Sequence, residues 1–154
     1  MKRLIGALFI VVMAGVAQQA AAQKIGVFLG YGTEVEELGL GVNGEFGIND
    51  KVAIAPSFIY WLPEDPVSWW EFNVNAMYYF TKSGSADFYG LAGINLFSAK
   101  VEGFDGNSEV GINLGAGANF NIGKNWEPFT ELKFVLGDAD QLGLFFGARF
   151  KLRK

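Results

Sequence analysis

From Val110 to Ile122 the chain alternates without a break between two kinds of residue. Val110, Ile112, Leu114, Ala116, Ala118, Phe120 and Ile122 hold one parity; Gly111, Asn113, Gly115, Gly117, Asn119 and Asn121 hold the other. Successive side chains of a strand point to opposite faces, so this is a ribbon with one apolar face and one face of glycine and amide. No helical period fits it. The same alternation runs through Ile25–Tyr31, Leu38–Ile48, Trp70–Phe80 and Leu142–Leu152. Val52–Leu62 and Phe88–Phe97 are apolar on both parities, and Trp126–Leu136 sets Glu131 and Lys133 opposite Leu132 and Phe134.

The pattern predicts eight strands, at 24–32, 38–48, 52–62, 69–80, 88–97, 109–122, 126–136 and 142–152. Most have roughly the 9–11 residues that a tilted transmembrane strand needs. Turn-like segments separate them, among them Asn49-Asp50-Lys51, Pro63-Glu64-Asp65-Pro66 and Gly123-Lys124-Asn125. An even number of strands lets an antiparallel meander close, and closure removes the unpaired edges that lipid would not tolerate. The fold expected is therefore all-β: a closed antiparallel up-and-down transmembrane β-barrel.

The first 22 residues stand apart. Lys2 and Arg3 precede an apolar run from Leu4 to Val16, and Ala20-Ala21-Ala22 offers small residues at a cleavage site. That is the three-part pattern of a secretory signal peptide. A retained anchor is the other reading, but the run falls short of a span of about 20 residues. The domain division expected is a cleaved signal over 1–22 and a barrel over 23–154. Without residues 1–22 the chain holds 10 Lys and Arg against 16 Asp and Glu, a net charge of −6. Such acidity excludes the basic face that a nucleic-acid partner requires.

Aromatic residues cluster toward strand ends. Tyr31, Trp61, Trp69, Trp70 and Phe97 fall near one end; Phe46, Tyr78, Tyr79, Phe80, Phe88, Trp126 and Phe150 fall near the other. Two girdles at the membrane interfaces are expected of them. With both termini in the periplasm, the outer loops carry Glu34, Glu36, Glu37, Glu64, Asp65, Glu102, Asp105, Asp138 and Asp140 against Lys100 alone. Lys24, Lys51, Lys82, Lys124, Lys151, Arg153 and Lys154 gather at the opposite end, with Asp50, Asp87 and Glu127. Polar rims account for this. A sharper alternative is that the acidic rim engages divalent cations bridging to lipopolysaccharide.

Several chemistries can be set aside. The chain has no His, which removes Ser–His and Cys–His pairs and imidazole metal sites. It has no Cys for a disulfide or a thiolate metal site. Gly39-Leu40-Gly41-Val42-Asn43-Gly44 fits G-x-G-x-x-G, but inside an alternating strand, where no helix follows to hold a pyrophosphate. Asp138-Ala139-Asp140 falls short of the roughly six to eight oxygens of a calcium site. No cofactor and no catalytic or metal residues are expected. The inward parity does carry charge, at Glu71, Glu131, Lys133 and Arg149. Buried charges must pair or be hydrated, so Glu131 or Lys133 is expected near Arg149, with Asn73, Asn75, Asn113 and Asn119 in the same network. The network is either a structural plug or a polar path. Phe28, Ile59 and Leu91 on that face either fill a core or line a path for small apolar molecules.

Phe88-Tyr89-Gly90-Leu91-Ala92-Gly93-Ile94 and Gly147-Ala148-Arg149-Phe150, behind the signal, make the chain resemble the small eight-stranded outer-membrane barrels of the OmpX and OmpA-transmembrane-domain type. The resemblance covers the whole of residues 23–154. It departs at the end, where Lys151-Leu152-Arg153-Lys154 follows the aromatic residue that the barrel-insertion machinery reads in many members. It implies the outer membrane of a Gram-negative bacterium, with lipid, lipopolysaccharide and the insertion machinery as partners. It further implies a non-enzymatic role in envelope structure, adhesion or contact with a surface ligand. A narrow pore is the transport alternative. A soluble lipocalin-like barrel would need the reverse parities, an apolar interior and a polar exterior.

Overall fold

A computed structural model describes residues 23–63, 67–82, 84–137 and 140–152. Residues 1–22, where a signal peptide is expected, lie outside the described residues, as do Glu64-Asp65-Pro66, Ser83, Asp138-Ala139 and Arg153-Lys154. Eight strands follow one another: β1 (Gln23–Gly32), β2 (Glu37–Gly47), β3 (Val52–Trp61), β4 (Val67–Lys82), β5 (Ala86–Val101), β6 (Asn107–Phe120), β7 (Trp126–Leu136) and β8 (Gln141–Lys151). Each pairs antiparallel with the next, and β8 pairs with β1, so the sheet closes into a barrel. Closure gives every strand a neighbour on both sides, as a hydrocarbon surrounding requires.

The alternation read from the sequence sets the two faces. Val27, Leu29, Leu40, Ile94, Ile112, Leu114 and Phe146 are large apolar residues exposed on the outside. Glu71, Asn73, Asn113, Lys133 and Arg149 are buried on the inside. A water-soluble barrel would reverse this. An apolar outer face around a polar core is the arrangement that lipid selects.

Two ladders lapse beside prolines. Between β2 and β3 the register is continuous from Asn43↔Ser57 to Phe46↔Ile54, but the two pairs between them are missing, next to Pro56. The β6–β7 ladder stops at Asn119↔Phe129, one step before Pro128. Proline has no N–H to give to a ladder. The β2–β3 turn is tied by Asn49, whose Oδ1 accepts from the backbone N–H of Lys51 and Val52, both at 2.9 Å.

The wall formed by β4, β5 and β6 is taller than expected. The sequence places loops at 81–87 and 98–108, but β4 and β5 run on to pair Lys82 with Asp87 and Val67 with Val101. β6 joins through Ser98↔Ser108, where the Ser108 hydroxyl donates to Ser98 Oγ at 3.2 Å. Polar residues hide these extensions in the sequence, since the apolar alternation ends at the membrane while the hydrogen-bonded ladder need not. Gly103, at φ 86°, supplies the left-handed conformation that reverses the β5–β6 hairpin. A bulge between Tyr79 and Thr81 bends the opposite end of β4.

Candidate functional site: the barrel lumen

Three layers fill the interior. The lowest lies toward the chain termini. There Lys24 Nζ bridges Glu45 at 3.1 Å and Glu127 at 2.5 Å, with Lys151 Nζ 3.8 Å from Glu127. Arg149 stands between Glu45 and Glu131, 3.6 Å from each, and donates to Asn119 Oδ1. Its guanidinium lies 3.9 Å from the centroid of the Phe129 ring. The Tyr79 hydroxyl donates to Glu45 at 2.7 Å and the Tyr89 hydroxyl to Glu131 at 2.8 Å, while Asn119 Nδ2 donates to Tyr79. Opposite charges and phenols from six strands thus cross-link the wall.

The middle layer is an aromatic septum beside an amide cluster. Phe28, from β1, meets Phe129 and Phe145 edge-on at 6.1 and 5.7 Å between centroids, and Ile59 and Trp61 complete the cluster. Edge-to-face contacts of this kind put the positive rim of one ring on the negative face of the next. Asn113 Nδ2 donates to Asn73 and Asn75 at 2.8 Å each. Lys133 Nζ donates to Asn73 Oδ1 at 3.2 Å and sits 4.9 Å from the Phe145 ring centroid.

The upper layer is built on Glu71, which is 1% exposed. Trp61 Nε1 donates to one carboxylate oxygen at 3.0 Å and Asn95 Nδ2 to the other at 2.5 Å. Above it opens a vestibule of about 640 Å³ with Trp69, Phe97, Glu34, Asp140 and Gln141 in its lining. Below it, a second void amid Asn43, Ser57, Lys133 and Arg149 holds only about 20 Å³, room for a single water. An eight-stranded barrel is just wide enough for its own side chains, and here they occupy it.

The structure brings Glu71, Glu131, Lys133 and Arg149 into one lumen. Of the two partners expected for Arg149, Glu131 takes the place and Lys133 turns to Asn73. Among the aromatics, Tyr31, Tyr78, Phe80, Trp126 and Phe150 are exposed on the outer face, and Trp70 stacks on Phe58 at 6.0 Å. Trp61 and Trp69 are not girdle residues. Trp61 is fully buried inside on the parity of Ile59, and Trp69 lies on the parity of Glu71 and faces the vestibule. Tyr79 and Phe97 correct in the same way, the first bonded to Glu45 and the second lining the vestibule. Position near a strand end suggested an interface; parity decides the face, and adjacent residues such as Trp69 and Trp70 must separate. Asn95 and Tyr89 went unassigned because β5 looks apolar on both parities, yet each lies an even step from Leu91, which faces in.

A family model described as the outer membrane protein beta-barrel domain matches residues 7–131. The chain belongs to that family. It is a transmembrane barrel of the Gram-negative outer membrane. The match ends within β7, and β8 supplies the closing strand. Solved structures share the fold. The N-terminal β-barrel domain of Pseudomonas aeruginosa OprF superposes with a TM-score of 0.73 at 18% identity, over 86% of this chain and 98% of that one. Ail, the attachment invasion locus protein of Yersinia pestis, gives 0.62 at 19% identity, over 85% and 97%. Neisserial surface protein A gives 0.61 at 16%, over 85% and 95%. The curated proteins contain no match to this sequence.

Proposed function

We propose that this outer-membrane barrel is closed and non-enzymatic, and that it serves envelope structure and surface contact through its short acidic loop end. The observation that carries this reading is the filled lumen. The ion pairs around Arg149, the septum around Phe28 and the amides around Asn73 leave a central void of only about 20 Å³. A permeant ion would have to part buried charges held by several partners each.

The loop end then becomes the working surface. Glu34, Glu36, Glu102, Asp105 and Asp140 are exposed there. Ail of Yersinia pestis has been crystallised with the heparin analogue sucrose octasulfate. A polyanion of that kind would meet carboxylates here, so the shared fold favours a different ligand charge.

The test is conductance of the refolded barrel in a planar bilayer, alongside Glu131→Gln and Arg149→Gln. A silent, properly inserted barrel is expected. Discrete current steps that change size in the two variants would put the transport reading in its place.

A further inference from the structure

Glu71 differs from the other buried carboxylates of the lumen. Glu45 has Lys24 and Arg149 as cation partners, Glu127 has Lys24 and Lys151, and Glu131 has Arg149. Among the described residues Glu71 has no cation within ion-pair distance; its partners are the neutral donors Trp61 and Asn95. Both of its oxygens accept hydrogen bonds from neutral groups. A buried carboxylate without a counter-charge is costly, so a cation brought close to it is favoured.

That carboxyl group lies at the floor of the vestibule. Among the described residues no Lys or Arg lines the cavity; Glu34 and Asp140 add two carboxylates higher up, and Trp69 and Phe97 supply aromatic walls. Low-dielectric walls around charge of one sign focus the field and concentrate counter-ions. Aromatic faces beside carboxylates are the environment that holds an organic ammonium group, through cation–π attraction and charge together. The volume of about 640 Å³ suits a small organic molecule rather than a bare ion. Among the described residues no group of three or more acidic side chains is placed to hold a metal ion.

We infer that the vestibule is a binding site for a small aromatic or alkyl ammonium compound, its cationic head over Glu71 between Trp69 and Phe97. Glu71 acts across the floor through its field, since it is almost fully covered. Glu34 and Asp140, both exposed, contribute contacts at the rim. This rests on the closed-barrel reading, which makes the vestibule a cup rather than the mouth of a pore.

The test is calorimetric titration of the barrel in zwitterionic nanodiscs with benzyltrimethylammonium, subtracting empty nanodiscs. One saturable site is expected, weakening as salt is added. Affinity should be at least about tenfold higher than for benzyl alcohol, as the loss of a charge-assisted contact implies, and phenylacetate should not bind. Glu71→Gln and the double variant Glu34→Gln/Asp140→Asn should each lower affinity by about tenfold. The double variant changes only exposed positions, so it decides the matter even if the buried change prevents folding. Equal binding of benzyl alcohol, unchanged affinity in the folded double variant, or stoichiometric displacement by Ca²⁺ would overturn the inference. Conductance of the same preparation separates the two readings. Current steps would overturn the closed barrel, whereas a silent barrel without saturable binding would overturn the site alone.

Discussion

Replacing Arg149 by methionine removes a cation but keeps most of the side chain's volume, so it isolates charge from packing. Arg149 is 1% exposed and sits 3.6 Å from both Glu45 and Glu131. At an effective dielectric constant of about 20, each contact is worth about 4–5 kcal/mol before desolvation is counted. Burying the guanidinium costs several kcal/mol, which cancels much of that sum. What matters for the variant is what remains behind. Glu45 keeps Lys24 at 3.1 Å and the Tyr79 hydroxyl at 2.7 Å. Glu131 keeps, among the described residues, the Tyr89 hydroxyl at 2.8 Å. One carboxylate is thus stranded, and breaking a buried pair from one side costs about 3–5 kcal/mol. The Glu131 side chain retains 13% exposure, which places the expected loss near the lower figure.

Urea unfolding in lipid vesicles, followed by tryptophan emission, measures this loss through the shift in midpoint. The second variant makes the reasoning refutable. Adding Glu131→Gln to Arg149→Met removes the stranded charge, so the double variant should recover about 2 kcal/mol relative to the sum of the singles. A loss below about 1 kcal/mol for Arg149→Met would mean that the lower lumen is well hydrated. Strict additivity would mean that Glu131 does not depend on Arg149. Either result refutes the account of the lower layer as a cross-linked ionic cluster.

Two further outcomes follow from the two faces. Leu114→Arg and Phe146→Arg, at exposed positions within β6 and β8, should each cost about 2–4 kcal/mol in the same vesicle assay, because they place a charge near the bilayer midplane; unimpaired stability would reverse the assignment of faces. Phe28→Ala/Phe145→Ala removes two rings of the septum and should open discrete conductance in a planar bilayer, with silence showing that the ionic layer alone is a sufficient barrier.

Strand order and outer face were legible where a period of two is sustained over about ten residues, and the strands at Val52–Leu62 and Phe88–Phe97, apolar on both parities, were marked off by the turn-like segments that flank them. Leu114 between Asn113 and Gly115 can only be read one way. Three things were not legible. The height of the β4–β5–β6 wall depends on polar pairs such as Ser98↔Ser108, which carry no hydrophobic signal. Trp61 and Trp69 were misassigned because tryptophan suits an interface and also a buried position with a partner for its N–H, and only the structure shows Glu71 accepting it. The vestibule could not be foreseen, since it joins Glu34, Phe97 and Asp140 from three hairpins that are distant in sequence.

The inward glycines explain why the lumen is layered rather than uniformly packed. A Cβ on Gly39 would meet the Trp61 ring at 2.8 Å, and one on Gly30 would meet the Phe145 ring at 2.7 Å. A Cβ on Gly41 would run into the ring of Phe28, and one on Gly117 would run into the Tyr89 phenol. Each large ring therefore leans over a glycine of a neighbouring strand, and without that space an eight-stranded interior could not hold Phe28, Trp61, Tyr89 and Phe145 together. Phe28, Trp61, Phe129 and Phe145 gather at mid-height, with carboxylates both below and above them. Glu45, Glu127 and Glu131 lie below, paired with the cations Lys24, Arg149 and Lys151. Glu71 lies above, and among the described residues Trp61 and Asn95 are the donors to its oxygens. Gly39 and Gly41, two glycines of the run that looks like a nucleotide motif, thus have their use in the packing. They make room for the aromatic septum, which separates the ion pairs of the lower lumen from Glu71 above.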